Sequence, residues 1–128
     1  MKKVCGKHLL MDIYGVGEGQ LRDARLIKKF LNELPAFLGM SSLKSAALHK
    51  VISQDGETWG LTGFVVLYES HISCHTWPEH EYVAMDIYSC RDFDHHRAVK
   101  YLKEFWQYKR AITKVIKRDD FSVLKRTP

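Results

Sequence analysis

The segment of residues 69–79, ESHISCHTWPE, concentrates side chains that can do acid–base or nucleophilic chemistry. It contains serine and cysteine as potential nucleophiles, two histidines as potential bases, and a carboxylate at each end. The segment directly follows the apolar run at residues 64–68, and a core strand there would hold these side chains on a rigid support. The alternative is a hairpin whose polar side chains face water, and composition alone leaves both interpretations open.

Metal binding is a second chemistry to weigh, because His71, Cys74, His75, His80 and Cys90 are all potential ligands. On a strand, His71 and His75 would share a face but lie about 13 Å apart, too far to ligate one ion. The pair of cysteines two residues apart that is typical of structural zinc sites is missing from the sequence. We therefore expect no metal.

The strands that must position these side chains are predicted from alternating or continuous apolar runs. Residues 82–88 form one such strand, and the run 64–68 suits a buried central strand because it is apolar throughout. A polar turn is expected at residues 53–60. The remaining predicted strands are Lys7–Tyr14, an extended stretch at residues 43–52, and residues 111–117.

Two amphipathic helices are predicted from apolar residues spaced three and four apart. The first stripe begins at Leu21, and Pro35 and Gly39 are expected to stop or kink this helix. Gly15, Gly17 and Gly19 precede the helix but do not match a dinucleotide-binding fingerprint, so we interpret them as a flexible turn. The two stripes are Leu21, Ala24, Ile27, Phe30, Leu31 and Leu34, and then Ala98, Val99, Leu102, Phe105 and Trp106.

The tetrapeptide MDIY occurs twice, at residues 11–14 and 85–88, each time at the end of a predicted strand that is followed by a helix and another strand. This repetition indicates duplicated β-α-β units. Together the elements predict an α+β domain in which two helices cover one face of an antiparallel sheet.

A chain of 128 residues, 45% of them hydrophobic, fits one globular domain spanning residues 1–128. Cys5, Cys74 and Cys90 cannot all pair, and the sequence shows neither a secretory leader nor an apolar run of about 18 residues. We therefore expect a reduced, soluble, cytoplasmic protein with no membrane partner.

The net charge of +5 arises largely near the C-terminus. A nucleic-acid-binding module would bind through this region with a steep dependence on salt. However, apolar residues separate the basic ones, so we expect a solvated strand face and tail with no nucleic-acid partner. The basic residues are Lys109, Arg110, Lys114, Lys117, Arg118, Lys125 and Arg126.

Residues 69–79, followed by MDIYSC at residues 85–90, resemble the prokaryotic S-adenosylmethionine decarboxylases, which are self-cleaving pyruvoyl enzymes of polyamine biosynthesis. The similarity extends over most of the chain, through GKHL at residues 6–9, HK at 49–50 and GLTG at 60–63. The resemblance implies a dimer of cleaved protomers with active sites near the subunit interface.

The resemblance further implies that the chain cuts itself between Glu69 and Ser70, giving residues 1–69 and 70–128. Ser70 Oγ would attack the Glu69 carbonyl, and β-elimination and hydrolysis would then leave a pyruvoyl cofactor derived from Ser70. His75 matches the histidine that assists processing, and Thr62 occupies a position where relatives usually have serine. Cys90 matches the proton donor of the decarboxylation, in which the pyruvoyl ketone forms a Schiff base with the substrate amine.

Glu79 matches the family glutamate that binds the ribose hydroxyls, which favours S-adenosylmethionine as the substrate. Val51 stands where relatives commonly have a phenylalanine that stacks on adenine, and Trp59 in the longer following loop is a candidate replacement. Arginine or ornithine is the alternative substrate, and Glu57, Glu79 and Glu81 could bind its distal cationic group. A processing-dead binding or regulatory relative is a further alternative, although the presence of Ser70, His75 and Cys90 argues against it.

Overall fold

The computed structural model describes residues 6–118. Cys5, Lys125 and Arg126, which entered the predictions above, lie outside the described residues. The strands are β1 (Lys7–Tyr14), β2 (Ala47–Ile52), β3 (Trp59–Val66), β4 (Ser70–Trp77), β5 (Tyr82–Ser89) and β6 (Arg110–Lys117). The helices are α1 (Glu18–Leu21), α2 (Ala24–Phe37) and α3 (His95–Trp106), with a 3-10 turn at Pro78–His80.

The six strands form one antiparallel sheet in the order β2-β3-β4-β5-β1-β6, as the α+β prediction requires. The two copies of the MDIY tetrapeptide lie on neighbouring strands, with Met11 directly opposite Met85. In each half of the chain a strand is followed by helix and then by a strand parallel to the first. In the first half β1 and β2 are separated by three strands of the sheet, and in the second half β5 and β6 are separated by β1.

The apolar core lies between the helices and one face of the sheet. Alternate residues of β1, Leu9, Met11 and Ile13, are at most 1% exposed, because the pleat turns every second side chain towards the helices. Gly63 allows close packing here, since a Cβ atom at this position would lie 2.5 Å from Leu31 Cδ1. The core side chains from the helices are Leu21, Ile27, Phe30, Leu31, Leu34, Ala98, Leu102 and Trp106.

The opposite face of the sheet, which we call the open face, is not covered by a helix of the described chain. Its apolar members are partly exposed, including Phe64 at 40%, Ile112 at 52% and Ile116 at 48%. An exposed apolar surface of this kind commonly marks an interaction site. The open face comprises His8, Leu10, Asp12, Tyr14, Ala47, His49, Val51, Gly60, Thr62, Phe64, Val66, His71, Ser73, His75, Trp77, Tyr82, Ala84, Asp86, Tyr88, Arg110, Ile112, Lys114 and Ile116.

One prediction about the centre of the chain was wrong, and an interpretation left open is settled there. The strand expected at residues 64–68 is β3, which ends at Val66, and Tyr68 lies in the following turn at 71% exposure. Residues 70–77, for which composition left both a core strand and a water-facing hairpin open, form the interior strand β4. This strand is stable there because Ile72 and Cys74 enter the core, while the alternate residues His71, Ser73 and His75 lie on the open face.

Other boundaries also differ from the prediction. The helix expected from Leu21 is divided into α1 and α2, because Asp23 caps α2 by accepting a hydrogen bond from the Leu26 amide at 3.1 Å. Pro35 lies inside α2, which ends two residues later at Phe37, so it does not stop the helix. The stretch expected at residues 43–52 forms a strand only from Ala47 onwards.

Candidate active site

The peptide bond between Glu69 and Ser70 lies where the tight turn after β3 enters β4. The Leu67 amide donates to the Ser70 carbonyl oxygen at 2.9 Å and closes the turn. Ser70 has a φ of +156°, a backbone conformation that residues with a side chain rarely adopt. The peptide bond singled out by the sequence is therefore next to backbone strain.

The Glu69 carbonyl oxygen accepts a hydrogen bond from the Cys90 amide at 2.8 Å. Cys90 comes into reach because β4 and β5 are paired, with Ser70 opposite Ser89. A backbone donor aimed at a carbonyl oxygen polarises the carbonyl group and stabilises negative charge that develops on the oxygen during nucleophilic attack. The chain thus supplies one donor of an oxyanion hole at the Glu69 carbonyl.

The Glu69 side chain anchors this turn. Glu69 is only 7% exposed, and its carboxylate accepts a hydrogen bond from the Ser41 amide at 3.1 Å. Arg91 Nη1 lies 3.6 Å from the other carboxylate oxygen. A buried carboxylate with these partners holds the residue before the serine in place.

The two described cysteines differ in their surroundings. Cys74 is buried in the core, and desolvation raises the pKa of its thiol to about 12. Cys90 is exposed and lies at the end of β5, adjacent to the turn that contains Ser70. Of the two, only Cys90 can exchange a proton with a molecule bound at this turn.

A second group of predicted site residues lies at the opposite end of β4. Thr62 and His75 are paired across β3 and β4, and Thr62 Oγ1 lies 3.2 Å from His75 Nδ1. They border a cavity of about 180 Å³ that Val51 and Glu79 also line. The hydroxyl, the imidazole and the carboxylate expected from sequence therefore share one cavity.

Glu79 lies in the 3-10 turn after β4, where its carboxylate is exposed. Thr58 Oγ1 donates to Glu79 Oε2 at 3.1 Å. The neighbouring Gly60 permits an unusually close approach of two chain segments, since a Cβ atom there would lie 2.1 Å from the Thr76 carbonyl oxygen. The wall of the cavity at this point therefore requires glycine.

Trp77 is a cavity-lining residue that the sequence reasoning did not single out, although it lies within the recognised segment. Its ring is 40% exposed and stacks on Tyr82 at a centroid distance of 5.1 Å. Alternation along β4 places it on the same face as His75, a placement that could have been inferred once residues 70–77 were assigned to a strand. An exposed, fixed aromatic ring beside a carboxylate suits a ligand with a planar base and hydroxyl groups.

Val51 and Trp59 both contribute to the lining of this cavity, but their side chains lie on opposite faces of the sheet. Val51 lies opposite Gly60 on the open face and lines the cavity. Trp59 is opposite Ile52, and its ring lies below Lys50 Nζ at 4.3 Å and Arg22 at 5.5 Å, on the helix side of the sheet. The Trp59 ring therefore packs against these cations on the helix side, while Trp59 also contributes to the lining of the cavity that Val51 borders.

The structure thus divides the predicted site into two groups. Glu69, Ser70 and Cys90 are together at one end of β4, and Thr62, His75 and Glu79 are together at the other. Ser70 and His75 are five residues apart on an extended strand, which corresponds to about 16 Å along its axis. The two groups do not meet within one chain.

A polar network occupies the centre of the open face between these groups. Asp86 contacts His8 Nε2 at 2.9 Å and accepts a hydrogen bond from Ser73 Oγ at 3.2 Å, while Tyr82 donates to Asp12 at 2.6 Å. Burial, together with the hydrogen bond to Asp12, raises the pKa of the Tyr82 hydroxyl. Desolvation, followed by repulsion from His8, lowers the pKa of His71.

Two further findings concern the described part of the chain. Within residues 6–118 there is no group of three or more histidine, cysteine or acidic side chains that could hold a metal ion. No helix in that range is long and apolar enough to cross a membrane.

Comparison with known proteins places the chain in a family. Residues 7–119 match the S-adenosylmethionine decarboxylase family. The S-adenosylmethionine decarboxylase proenzyme of Persephonella marina is 35% identical over 126 residues, covering 98% of this chain and 90% of that protein. The proenzyme of the same name from Clostridium botulinum strain Loch Maree is 36% identical, covering 91% of this chain and 96% of that protein.

The fold leads to the same family. The crystal structure of the adenosylmethionine decarboxylase from Aquifex aeolicus superimposes with a TM-score of 0.74 at 31% identity, covering 93% of this chain and 94% of that one. These matches span nearly the whole chain. This chain belongs to the S-adenosylmethionine decarboxylase family.

Proposed function

We propose that this chain is a proenzyme that cleaves itself between Glu69 and Ser70 and then decarboxylates S-adenosylmethionine. The observation that carries the proposal is the geometry of the peptide bond between these residues. Its carbonyl oxygen is hydrogen bonded to the Cys90 amide at 2.8 Å, and the serine that follows has a φ of +156°. Strain in the ground state and a donor for the developing oxyanion both favour attack on this carbonyl.

The proposed cleavage begins when Ser70 Oγ adds to the Glu69 carbonyl carbon as its proton is removed. The carbon–nitrogen bond then breaks, the Ser70 nitrogen takes up a proton, and an ester replaces the amide. Loss of the α-proton of Ser70 and cleavage of its Cβ–Oγ bond release Glu69 as a free carboxylate. The resulting dehydroalanine takes up a proton at Cβ and becomes an imine. Water then replaces the imine nitrogen, ammonia leaves, and the new N-terminus carries a pyruvoyl group.

The pyruvoyl group supplies an electron sink for the electrons left behind when CO₂ departs. The residues around Ser70 fit this chemistry, because the serine is already at the strained turn and Cys90, whose amide binds the Glu69 carbonyl oxygen, is exposed. In our proposal Cys90 returns a proton to the substrate carbon after CO₂ has left. Cys74, the other described thiol, faces the core and takes no part.

The complete site requires a second copy of the chain. Two open faces packed about a twofold axis perpendicular to β4 would place the Ser70 end of one β4 against the Trp77 end of the other. Ser70 and Cys90 of one protomer would then meet His75 of the partner subunit, together with the partner's Thr62 and Glu79. The exposed apolar side chains of the open face, such as Phe64 and Ile112, would be buried in this homodimer.

The assignment of S-adenosylmethionine as substrate is supported by the cavity that contains Glu79 and Trp77. A carboxylate can accept hydrogen bonds from both hydroxyls of a ribose ring, and an exposed indole can stack on adenine. Since the Trp59 ring lies on the helix side of the sheet, Trp77 is the better candidate for this stacking.

The intact mass of the denatured protein tests the cleavage. We expect fragments corresponding to residues 1–69 and 70–128, with the second fragment lacking a free amine and reacting with a carbonyl reagent. The Ser70→Ala variant should remain a single chain of about 14.9 kDa. An uncut unmodified chain after long incubation would overturn the proposal. CO₂ release from S-adenosylmethionine, arginine and ornithine, measured in parallel, then identifies the substrate.

A further inference from the structure

Thr58 connects Glu79 to Arg22, the residue that follows α1. Arg22 Nη2 donates to Thr58 Oγ1 at 3.3 Å, and Thr58 Oγ1 donates to Glu79 Oε2 at 3.1 Å. Thr58 and Glu79 both line the cavity described above, whereas Arg22 does not. The hydroxyl therefore links the cavity carboxylate to a cation behind it.

The direction of each hydrogen bond in this series is determined by chemistry. A guanidinium group can only donate, and an ionised carboxylate can only accept. Because the Thr58 hydroxyl accepts from Arg22, its single proton is directed towards Glu79. The series therefore has one arrangement, in which the Thr58 hydroxyl always donates to the carboxylate.

Both ends of the series are held by the fold. Arg22 Nη1 donates to Glu18 at 3.1 Å, and the Arg22 guanidinium lies 5.5 Å from the centroid of the Trp59 ring. Thr58 is fixed by two hydrogen bonds with Ser53, one at 2.9 Å between backbone groups and one at 3.2 Å from the Thr58 amide to Ser53 Oγ. The loop between β2 and β3 thus holds the Thr58 hydroxyl in front of Glu79.

Glu79 needs such support because it is exposed and lies in a short 3-10 turn. A free glutamate side chain there would lose rotamer freedom on binding a ligand, at a cost to affinity. With Oε2 already held by Thr58, the carboxylate is oriented before the ligand arrives, and it retains acceptor capacity for two hydroxyl groups.

We propose that Thr58 is a positioning residue, held by Arg22, that orients the Glu79 carboxylate to accept the vicinal hydroxyls of a ribonucleoside-bearing substrate. The inference rests on the proposed function and assigns part of its substrate specificity to the loop between β2 and β3. It also gives Trp59 a different task from stacking on the substrate, since the indole lies against the guanidinium that holds Thr58.

The test compares Thr58→Val with Thr58→Ser in steady-state assays of S-adenosylmethionine decarboxylation. Valine has nearly the same shape as threonine but no hydroxyl, whereas serine retains the hydroxyl. We expect Thr58→Val to raise KM by roughly three- to thirtyfold with kcat within about twofold of the unmodified enzyme. Thr58→Ser should have a KM close to that of the unmodified enzyme, and both variants should be cleaved at Ser70 as completely as the unmodified chain.

A substrate analogue without the 2′-hydroxyl makes the test specific for ribose recognition. If Thr58 acts through Glu79 on the ribose hydroxyls, the ratio of KM between Thr58→Val and the unmodified enzyme should be clearly smaller for this analogue. Arg22→Met is a second variant that leaves the loop sequence intact, and it should raise KM in the same direction.

The outcomes separate this inference from the proposed function. An unchanged KM in Thr58→Val, or an equal rise for both substrates, would overturn the positioning role even though the enzyme is active. A fall in kcat with KM unchanged would also overturn it. An unmodified chain that is cleaved but does not release CO₂ from S-adenosylmethionine would instead overturn the proposed function.

Discussion

Subunit complementation tests whether each active site is built from two chains. Ser70→Ala removes the serine that is cut but retains His75, and His75→Ala does the reverse. Because Ser70 and His75 are about 16 Å apart along β4, neither variant can restore the other unless the site spans two subunits. Each variant alone should stay largely uncut, while a mixed dimer should contain one competent pair.

The expected yield follows from the symmetry. Co-expression in equal amounts with random pairing gives about half of all dimers as mixed dimers, so about half of the His75→Ala chains should be cleaved. Only the His75→Ala chains carry Ser70 and can be cut, and the two uncut variants differ in mass. Intact mass spectrometry of the denatured mixture therefore measures the cleaved fraction of the His75→Ala chains directly. Cleavage of His75→Ala chains at no more than their level when expressed alone would refute the shared site.

Three further perturbations test features of the sheet. Thr62→Val removes the hydroxyl that contacts His75 and should slow self-cleavage by roughly two- to twelvefold in a time course of intact mass. Thr62→Ser retains the hydroxyl and should cleave at nearly the normal rate. Equal cleavage rates for the two variants would exclude a role for the hydroxyl. Gly60→Ala places a Cβ atom 2.1 Å from a backbone oxygen of β4 and should lower the free energy of unfolding by about 1–3 kcal/mol or more in urea titrations, unlike Gly17→Ala, where nothing lies within 4 Å. Burial lowers the pKa of His71, so the unfolded state binds more protons than the folded state below about pH 6.5, and the free energy of unfolding falls as the pH falls. In His71→Gln the free energy of unfolding should fall less between pH 7 and 5. An identical pH dependence of the variant and the unmodified chain would contradict this.

The linear motif and the apolar periodicity were readable from the sequence. Residues 69–79 carry the proposed cleavage pair and the histidine within one short segment, and the α2 stripe correctly predicted Ile27, Phe30, Leu31 and Leu34 as core residues. The antiparallel sheet with helices on one face was also confirmed. Such features depend on neighbours a few residues apart, which the chain specifies locally.

The face of the sheet on which each side chain lies was harder to predict from the sequence. Trp59 was a candidate for the stacking ring that Val51 lacks, but the pairing of Trp59 with Ile52 turns its ring to the helix side. A strand has two faces, so a change of one residue in register or bounds reverses the placement of a side chain. Register is set by hydrogen bonding to strands distant in sequence, and the sequence of the loop alone does not reveal it.

By itself, the sequence determined which residues could carry the chemistry, because the order of Glu69, Ser70, His75 and Cys90 is a property of the chain. Only the tertiary structure decided which of them meet. The pairing of β4 with β5 brings the Cys90 amide to the Glu69 carbonyl across 21 residues of sequence, while the rigidity of β4 keeps His75 away from Ser70. An extended strand cannot fold back on itself, so residues close in sequence are held apart and residues far apart in sequence become neighbours.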